Sequence, residues 1–280
     1  MIEINGFVLK PLSISVDYIK SRPKVILPIM SECADADLMN SSDPNSITCR
    51  IWTGCNLMDI VDDICGGVTA EAKYVLFTSL DGKYTKEMRI DEDILHDCIL
   101  GYEVDGKPLT SERGYPLRLI VPGWYGIYSV KALKKIEFTN VEKKDDSWKH
   151  NITAIKPKGF IWLPDSISRG KVMLEGRCWV GGSTYRKTYN PCEIVRVRLS
   201  FDGGLTWMDT IIDDINIEGV SSLLWSCKKW SYEWNASPGY KMILVEATDN
   251  KGISQPMQLE YNMTNTDKVN IDEYIRVNII

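Results

Sequence analysis

The eight cysteines of this 280-residue chain have side chains that could bind a metal or act as nucleophiles. They lie at positions 33, 49, 55, 65, 98, 178, 192 and 227, and no two of them form a C-x-x-C pair. Their spacing relative to the only histidines, His96 and His150, contains no zinc-binding pattern. We therefore expect most of these cysteines to be small buried hydrophobic residues, with one available for special chemistry.

The composition is typical of a globular protein with hydrophobic cores, because 44% of the residues are hydrophobic and 25% are charged. The formal net charge of -5 gives no general reason to expect nucleic acid or an anionic membrane as a partner. No uninterrupted apolar run approaches the roughly 20 residues that a membrane-spanning helix needs. The first fourteen residues lack the pattern of a secretory signal, so we expect a cytoplasmic protein with free thiols.

A charged stretch around residues 140–150 divides the chain into two predicted domains, 1–145 and 146–280. The first domain mixes helical periodicity with alternating strand patterns. Its predicted elements are helices over 15–22, 56–64 and 91–100, a hairpin of strands 74–79 and 84–90, and a buried strand over 117–121.

The second domain has the short alternating runs of an all-β unit. Val195, Val197 and Leu199 are predicted to share one face of a strand, with Arg196 and Arg198 on the other. The predicted strands cover 171–180, 193–201, 206–212, 225–234 and 240–248. Their close spacing favours a β-sandwich, and the polar tail after residue 262 is expected to be an edge strand or a partner-contacting extension.

The segment from Arg113 to Ile136, RGYPLRLIVPGWYGIYSVKALKKI, closely resembles the hallmark stretch of the sulfite oxidase and assimilatory nitrate reductase family. We call residues 113–136 the hallmark segment. Other matches follow the family order, at residues 31–34, 52–54, 100–109, 200–207 and 247–256. The resemblance extends from residue 4 to residue 260.

This resemblance implies an α+β fold class, with a sulfite-oxidase-like molybdopterin-binding domain followed by an immunoglobulin-like β-sandwich. The implied cofactor is molybdopterin with molybdenum, and the implied activity is oxygen-atom transfer to or from a small substrate, either sulfite or an S- or N-oxide. The C-terminal domain is then expected to form a homodimer. A separate electron-transfer protein is the implied redox partner.

The resemblance also implies roles for individual residues. Cys33 falls where the family carries its metal-binding cysteine, and metal ligation would keep its thiol deprotonated. Tyr102 matches the tyrosine of the substrate pocket, whose hydroxyl can hydrogen-bond an oxyanion. The phosphate end of the pterin needs fixed cations and donors, and the residues predicted to supply them are Arg113, which replaces a family histidine, together with Arg118, Ser129 and Lys131. The structural alternatives are a buried thiol, a packed tyrosine and solvated charges.

Two acidic residues, Asp35 and Asp37, follow Cys33 where the family often has Ala-Gly-Asn and arginines. Like charges a few ångströms apart repel by about 1–4 kcal/mol at surface-like dielectrics, which disfavours an anion such as sulfite. A neutral or cationic oxide is one way to accommodate this difference. The alternative function is a degenerate, non-catalytic homologue that serves as a binding or assembly module.

Overall fold

The computed structural model describes residues 1–33, 47–91, 93–143, 153–161, 163, 166–182, 192–213, 215–255 and 275–279. Its helices are α1 (Val16–Lys20) and α2 (Leu57–Cys65). The strands of the first half are β1 (Ile2–Gly6), β2 (Leu12–Ile14), β3 (Val25–Glu32), β4 (Ile47–Asn56), β5 (Tyr74–Ser79), β6 (Thr85–Arg89), β7 (Ile99–Val104), β8 (Lys107–Pro108), β9 (Arg118–Ile120) and β10 (Leu133–Thr139). The strands of the second half are β11 (Lys158–Ile161), β12 (Ser166–Ile167), β13 (Gly170–Trp179), β14 (Ile194–Ser200), β15 (Met208–Asp209), β16 (Ile211–Ile212), β17 (Lys228–Ala236), β18 (Gly239–Asp249) and β19 (Ile275–Ile279).

The first half contains two sheets that share one hydrophobic core with α2. One sheet has the strand order β2-β1-β10-β5-β6, and the other has the order β3-β4-β7-β8, with β9 paired to β7. Ile4, Ile60, Phe77, Leu100 and Ile136 come from five different elements and are all buried in this core. The chain is therefore mostly β, and the expected α+β description fits it only loosely.

Both predicted helices with capping signals are confirmed. The Ser15 hydroxyl accepts a hydrogen bond from the Tyr18 N–H at the start of α1. The Asn56 side chain accepts from the Met58 N–H at the start of α2. Gly66, with φ of 74°, ends α2 in the left-handed conformation that glycine adopts without strain. The predicted hairpin is also confirmed as β5 and β6.

The helix predicted over 91–100 is wrong. A short 3₁₀ turn covers Asp93–His96, and the chain then enters β7 at Ile99. This strand pairs with β4 on one side and with β8 and β9 on the other, so its backbone hydrogen bonds are satisfied by neighbouring strands. Sheet formation at the centre of the domain thus overrides the local helical pattern.

The second half contains two sheets, of order β11-β13-β17-β16 and β12-β19-β18-β14-β15. Leu174 and Trp230 from the first sheet and Val197 and Val245 from the second pack into one cluster. The residues predicted as one strand over 206–212 divide between the sheets, since β15 pairs with β14 while β16 pairs with β17.

Two details of the second half differ from the expectation. Val195 is 52% exposed, although Val197 and Leu199 are buried, because the pairing of β14 with β18 shifts register between residues 194 and 196. The tail does not end in an edge strand, since β19 lies between β12 and β18. Val277 and Ile279 on this strand are buried, which explains its place inside the sheet.

The two halves contact each other through backbone hydrogen bonds and shared clusters. The Met30 N–H donates to the Trp225 carbonyl at 2.8 Å, and the Ser221 N–H donates to the Ile26 carbonyl at 2.7 Å. The predicted boundary at residue 145 lies outside the described residues. In the part of the chain that the structure describes, no helix combines the length and apolarity needed to cross a bilayer.

Candidate functional site

The hallmark segment folds back on itself, which brings its two ends together. The Leu119 N–H donates to the Val130 carbonyl at 3.0 Å, and the Ala132 N–H donates to the Gly114 carbonyl at 3.1 Å. Gly114 has φ of 98°, and a side-chain carbon at this position would lie 2.9 Å from the Lys131 backbone. Glycine is therefore required for the close approach that sets Lys131 beside the first part of the segment.

This fold forms one wall of a cavity of about 580 Å³, a size typical of small-molecule sites. Three of the four residues predicted to bind the cofactor, Arg118, Ser129 and Lys131, line it together. The complete lining is Ser79, Leu80, Asp81, Tyr84, Arg118, Gly126, Ser129, Lys131 and Ala132.

Arg118 contributes a partly buried cation to the cavity. Its guanidinium lies 5.3 Å from the centre of the Trp52 ring, and its Nε atom is buried without a hydrogen-bond partner among the described residues. Burial, and secondarily the charge of Arg113, lower the pKa of Arg118 to about 10. The side chain is still a cation at neutral pH, so an anionic ligand would both neutralise it and accept its hydrogen bond.

Ser129 and Lys131 add a hydroxyl and a second cation. The Ser129 Oγ accepts a hydrogen bond from the Val121 N–H at 3.1 Å, which fixes the oxygen and leaves its own hydrogen for another acceptor. Lys131 is exposed at the cavity. The two side chains and Arg118 together provide the donors that a phosphate group needs.

The rest of the cavity lining comes from the end of β5 and the turn between β5 and β6. The Leu80 N–H donates to the Ala132 carbonyl at 2.7 Å, which ties this turn to the hallmark segment. The Ser79 hydroxyl donates to the Asp81 carboxylate at 2.6 Å and is the main cause of the lowered pKa of Asp81. The cavity lining therefore contains a carboxylate as well as cations.

Cys33 directly follows β3 and is exposed. Gly126 lines the cavity and lies close to Glu32, the residue before Cys33. A side-chain carbon built on Gly126 would be 3.3 Å from the Glu32 carbonyl oxygen. The backbone that carries Cys33 thus passes beside the cavity. Asp35 and Asp37 lie outside the described residues.

Tyr102 lies in a different place. It is on β7 with an exposed fraction of 6%, and burial raises the pKa of its hydroxyl. Along β4, Thr53 pairs with Glu103 while Ile47 pairs with Glu32. Six residues of β4 at about 3.3 Å each put the backbone of Tyr102 about 20 Å from that of Cys33. The structure does not bring these two predicted residues together.

Arg113 is at the end of a 3₁₀ turn that spans Ser111–Arg113, and it does not line the cavity. It is near enough to Arg118 to lower the pKa of that guanidinium, so it adds to the positive potential. The sequence did not indicate the lining residues Leu80, Asp81 and Tyr84. Asp81 and Gly82 signal a turn, but only the pairing of β5 with β10 brings this turn to the hallmark segment.

A family model described as the oxidoreductase molybdopterin binding domain matches residues 1–148. The chain is 25% identical to a nitrate reductase [NADH] of Ulva prolifera, over 74% of this chain and 29% of that protein. It is 23% identical to the mitochondrial sulfite oxidase of Homo sapiens, over 88% of this chain and 51% of that protein. The chain therefore spans about half or less of the length of these relatives.

Among solved structures, the crystal structure of the sulfane dehydrogenase SoxCD from Paracoccus pantotrophus matches with a TM-score of 0.75. The match has 22% sequence identity and covers 91% of this chain and 68% of that chain. At this identity the likeness shows a common fold.

Proposed function

Because the chain belongs to the oxidoreductase molybdopterin binding domain family, we propose that it is a molybdenum-cofactor oxidoreductase that transfers an oxygen atom to or from a small substrate. The observation that supports this most is Arg118, a cation whose buried Nε has no partner among the described residues, in a cavity that Ser129 and Lys131 also line. Such a wall suits a phosphorylated ligand better than an apolar one.

The residues present fit the phosphate end of molybdopterin. Arg118 and Lys131 would neutralise the phosphate, Ser129 would donate a hydroxyl hydrogen bond, and Arg113 would strengthen the positive potential. When bound, the cofactor supplies the two-electron chemistry at molybdenum, while the protein binds and orients it.

Cys33 is the proposed protein ligand of the metal. Within the described ranges no three histidine, cysteine or carboxylate residues form a metal-binding group, so a metal here depends on donors of the cofactor in addition to the protein. A thiolate is a soft ligand that suits such a site. Cys33 is exposed and lies beside the cavity, where it can take this role.

Tyr102 is proposed from the family resemblance alone as the hydroxyl that contacts substrate. Its burial and its separation from Cys33 along β4 do not add support to this role. The repulsion expected from Asp35 and Asp37 favours an S- or N-oxide over sulfite as the substrate.

The remaining parts of the proposal concern assembly. We propose that the two-sheet unit of the second half is an immunoglobulin-like domain that forms a homodimer, and that a separate protein exchanges electrons with the cofactor. The proposed location is the cytoplasm. Light scattering of the purified chain tests the dimer directly.

Metal and pterin analysis of the chain, purified from a host that makes the cofactor, tests the proposed function. We expect one molybdenum per chain and a fluorescent pterin after oxidation. Cys33→Ser should lose molybdenum and retain pterin, whereas Arg118→Gln should retain less of both.

Arg196→Gln is the matched control, because Arg196 is an exposed arginine on β14, away from the cavity. This variant should keep both metal and pterin. If the wild-type chain contains neither, it is a binding or assembly module without the cofactor, and the proposal is wrong.

A further inference from the structure

Cys49 and Cys227 differ from the other cysteines outside the proposed metal site. Cys49 is exposed and Cys227 is partly exposed, whereas the remaining five described cysteines apart from Cys33 are buried. The expectation that most cysteines are small buried residues is met by Cys55, Cys65, Cys98, Cys178 and Cys192.

The two thiols come from different halves of the molecule and meet where the halves contact each other. Cys49 is on β4 opposite Met30, and the Met30 N–H donates to the Trp225 carbonyl, two residues before Cys227. Cys227 packs against the cluster that contains Met30 and Trp179. Strand pairing and core packing thus hold both cysteines in place.

The Cys49 sulfur lies against the chain around Cys227. Its Sγ is 3.9 Å from the Oγ of Ser226, the residue directly before Cys227. The hydrogen bond from the Cys227 thiol is the largest cause that lowers the pKa of Cys49 to about 6, against desolvation and the charge of Asp105. The same contact raises the pKa of Cys227.

This asymmetry gives the two thiols different chemical roles. Cys49 is the more exposed of the two thiols and its pKa is lowered, whereas the pKa of Cys227 is raised, so Cys49 is the better nucleophile of the pair. An accessible nucleophilic cysteine with a second cysteine beside it is the arrangement of an oxidisable pair, in which the second cysteine resolves the first oxidation product.

We propose that Cys49 and Cys227 are a redox modification site, and that a peroxide converts them to a disulfide that covalently joins the two halves of the molecule. The Cys49 thiolate attacks one peroxide oxygen, the O–O bond breaks, and Cys49 becomes a sulfenic acid while the other oxygen leaves as an alcohol or water after taking up a proton. The Cys227 sulfur then attacks the Cys49 sulfur, the S–O bond breaks, and water leaves. Two thiols lose two electrons in total, and the peroxide gains them.

Peptide mapping of the full-length chain tests this proposal without any variant. The reduced protein is treated with hydrogen peroxide, alkylated and digested without reductant. We expect the peptides of Cys49 and Cys227 to appear as one linked species, lighter by two hydrogens than their sum, that dithiothreitol separates. A link from Cys49 to Cys33, or full alkylation of Cys49 and Cys227 after peroxide, would overturn the proposal.

Three variants assign the steps. Cys227→Ala should form no link and should accumulate a sulfenic acid at Cys49, which dimedone labels. Cys49→Ala should leave Cys227 unlabelled. Cys33→Ala is the matched control, because it removes another exposed cysteine and should retain the link. Near-ultraviolet circular dichroism checks that each variant is folded, and equal dimedone labelling of Cys227 in Cys49→Ala would contradict the assigned roles.

The pH dependence of alkylation gives an independent measurement. The rate at Cys49 should rise with a midpoint near pH 6, because only the thiolate reacts. Cys227→Ala should move this midpoint upward and slow alkylation at neutral pH several-fold. A wild-type midpoint at the ordinary thiol value would overturn the assignment of Cys49 as the nucleophile. These experiments need no bound cofactor, so their outcome is separate from that of the proposed function.

Discussion

Arg118 combines a charge, a place on the cavity wall and a buried Nε that has no hydrogen-bond partner among the described residues. We expect Arg118→Gln to weaken binding of the pterin by about ten- to a hundredfold, since a hydrogen bond to a charged group contributes about 1.5–3 kcal/mol. The apoprotein should keep its melting temperature or gain slightly, because the change removes a partly buried charge for which the described residues provide no ion-pair partner. Pterin retained after gel filtration and thermal melting of the apoprotein measure the two effects.

Arg196→Gln serves again as the control and should change neither quantity. A large loss of apoprotein stability in Arg118→Gln would contradict the interpretation, because it would show that Arg118 has a structural partner. Unchanged pterin retention would show that the cavity does not hold the phosphate.

The residues of the site differ in how far the sequence predicts them. Arg118, Ser129 and Lys131 lie within fourteen positions of each other in one folded-back segment, so their proximity follows from local structure. Asp81 reaches the same cavity only through the pairing of β5 with β10. Tyr102 could not be placed relative to Cys33 without the register of β4, which depends on contacts between distant parts of the chain.

At the scale of elements, β3 depends on the second half for the position of its last residue. The Glu32 carboxylate forms a buried ion pair with Lys158 and accepts a hydrogen bond from the Trp179 Nε1 at 3.1 Å. The side chains of Glu32 and Lys158 are only 2% and 4% exposed. Since Cys33 is the next residue, this ion pair fixes the strand end that carries the proposed metal ligand.

We expect Lys158→Met to destabilise the protein by about 3–5 kcal/mol, because it leaves the Glu32 carboxylate buried without a cation. The double variant Glu32→Gln, Lys158→Met should recover much of this loss, since neither charge then remains. Urea unfolding measures both free energies.

Lys171→Met is the matched control, because Lys171 pairs with Glu233 at 3.1 Å with side chains that are 78% and 59% exposed. An exposed pair of this kind contributes about 0–1 kcal/mol. Equal losses in Lys158→Met and Lys171→Met would show that the ion pair of Glu32 is effectively solvated.

The elements that the sequence predicts correctly are those with local signals. Ser15 and Asn56 cap the two helices, and Asp81 and Gly82 mark the hairpin turn. The helix predicted over 91–100 fails because strands on both sides supply the hydrogen bonds of β7. Likewise, the exposure of Val195 follows from a register shift against β18, which no alternation along β14 can reveal.

At the scale of the molecule, the charged stretch around residue 145 predicts two domains joined by a linker. The two halves nevertheless pack against each other. Trp225 belongs to the second half but packs in a cluster with Leu27, Trp52 and Ile120 of the first. A side-chain carbon on Gly123 would lie 2.3 Å from the Gly182 backbone, so the two halves approach each other closely there. Periodicity indicates each unit, but it contains no signal for this contact.

These shared clusters lead us to expect that the two halves unfold in one transition. Trp225→Ala should lower stability by about 3–5 kcal/mol, as truncation of a buried tryptophan does, and should shift the unfolding of both halves together. Urea curves from far-ultraviolet circular dichroism and tryptophan fluorescence should coincide before and after the change.

Trp207→Ala is the control, because Trp207 is only partly buried and its Nε1 donates to the Gly204 carbonyl within the same loop. This variant should lose less stability than Trp225→Ala. Two separated transitions, only one of them moved by Trp225→Ala, would show instead that the halves are independent and that the Cys49–Cys227 contact forms between loosely associated units.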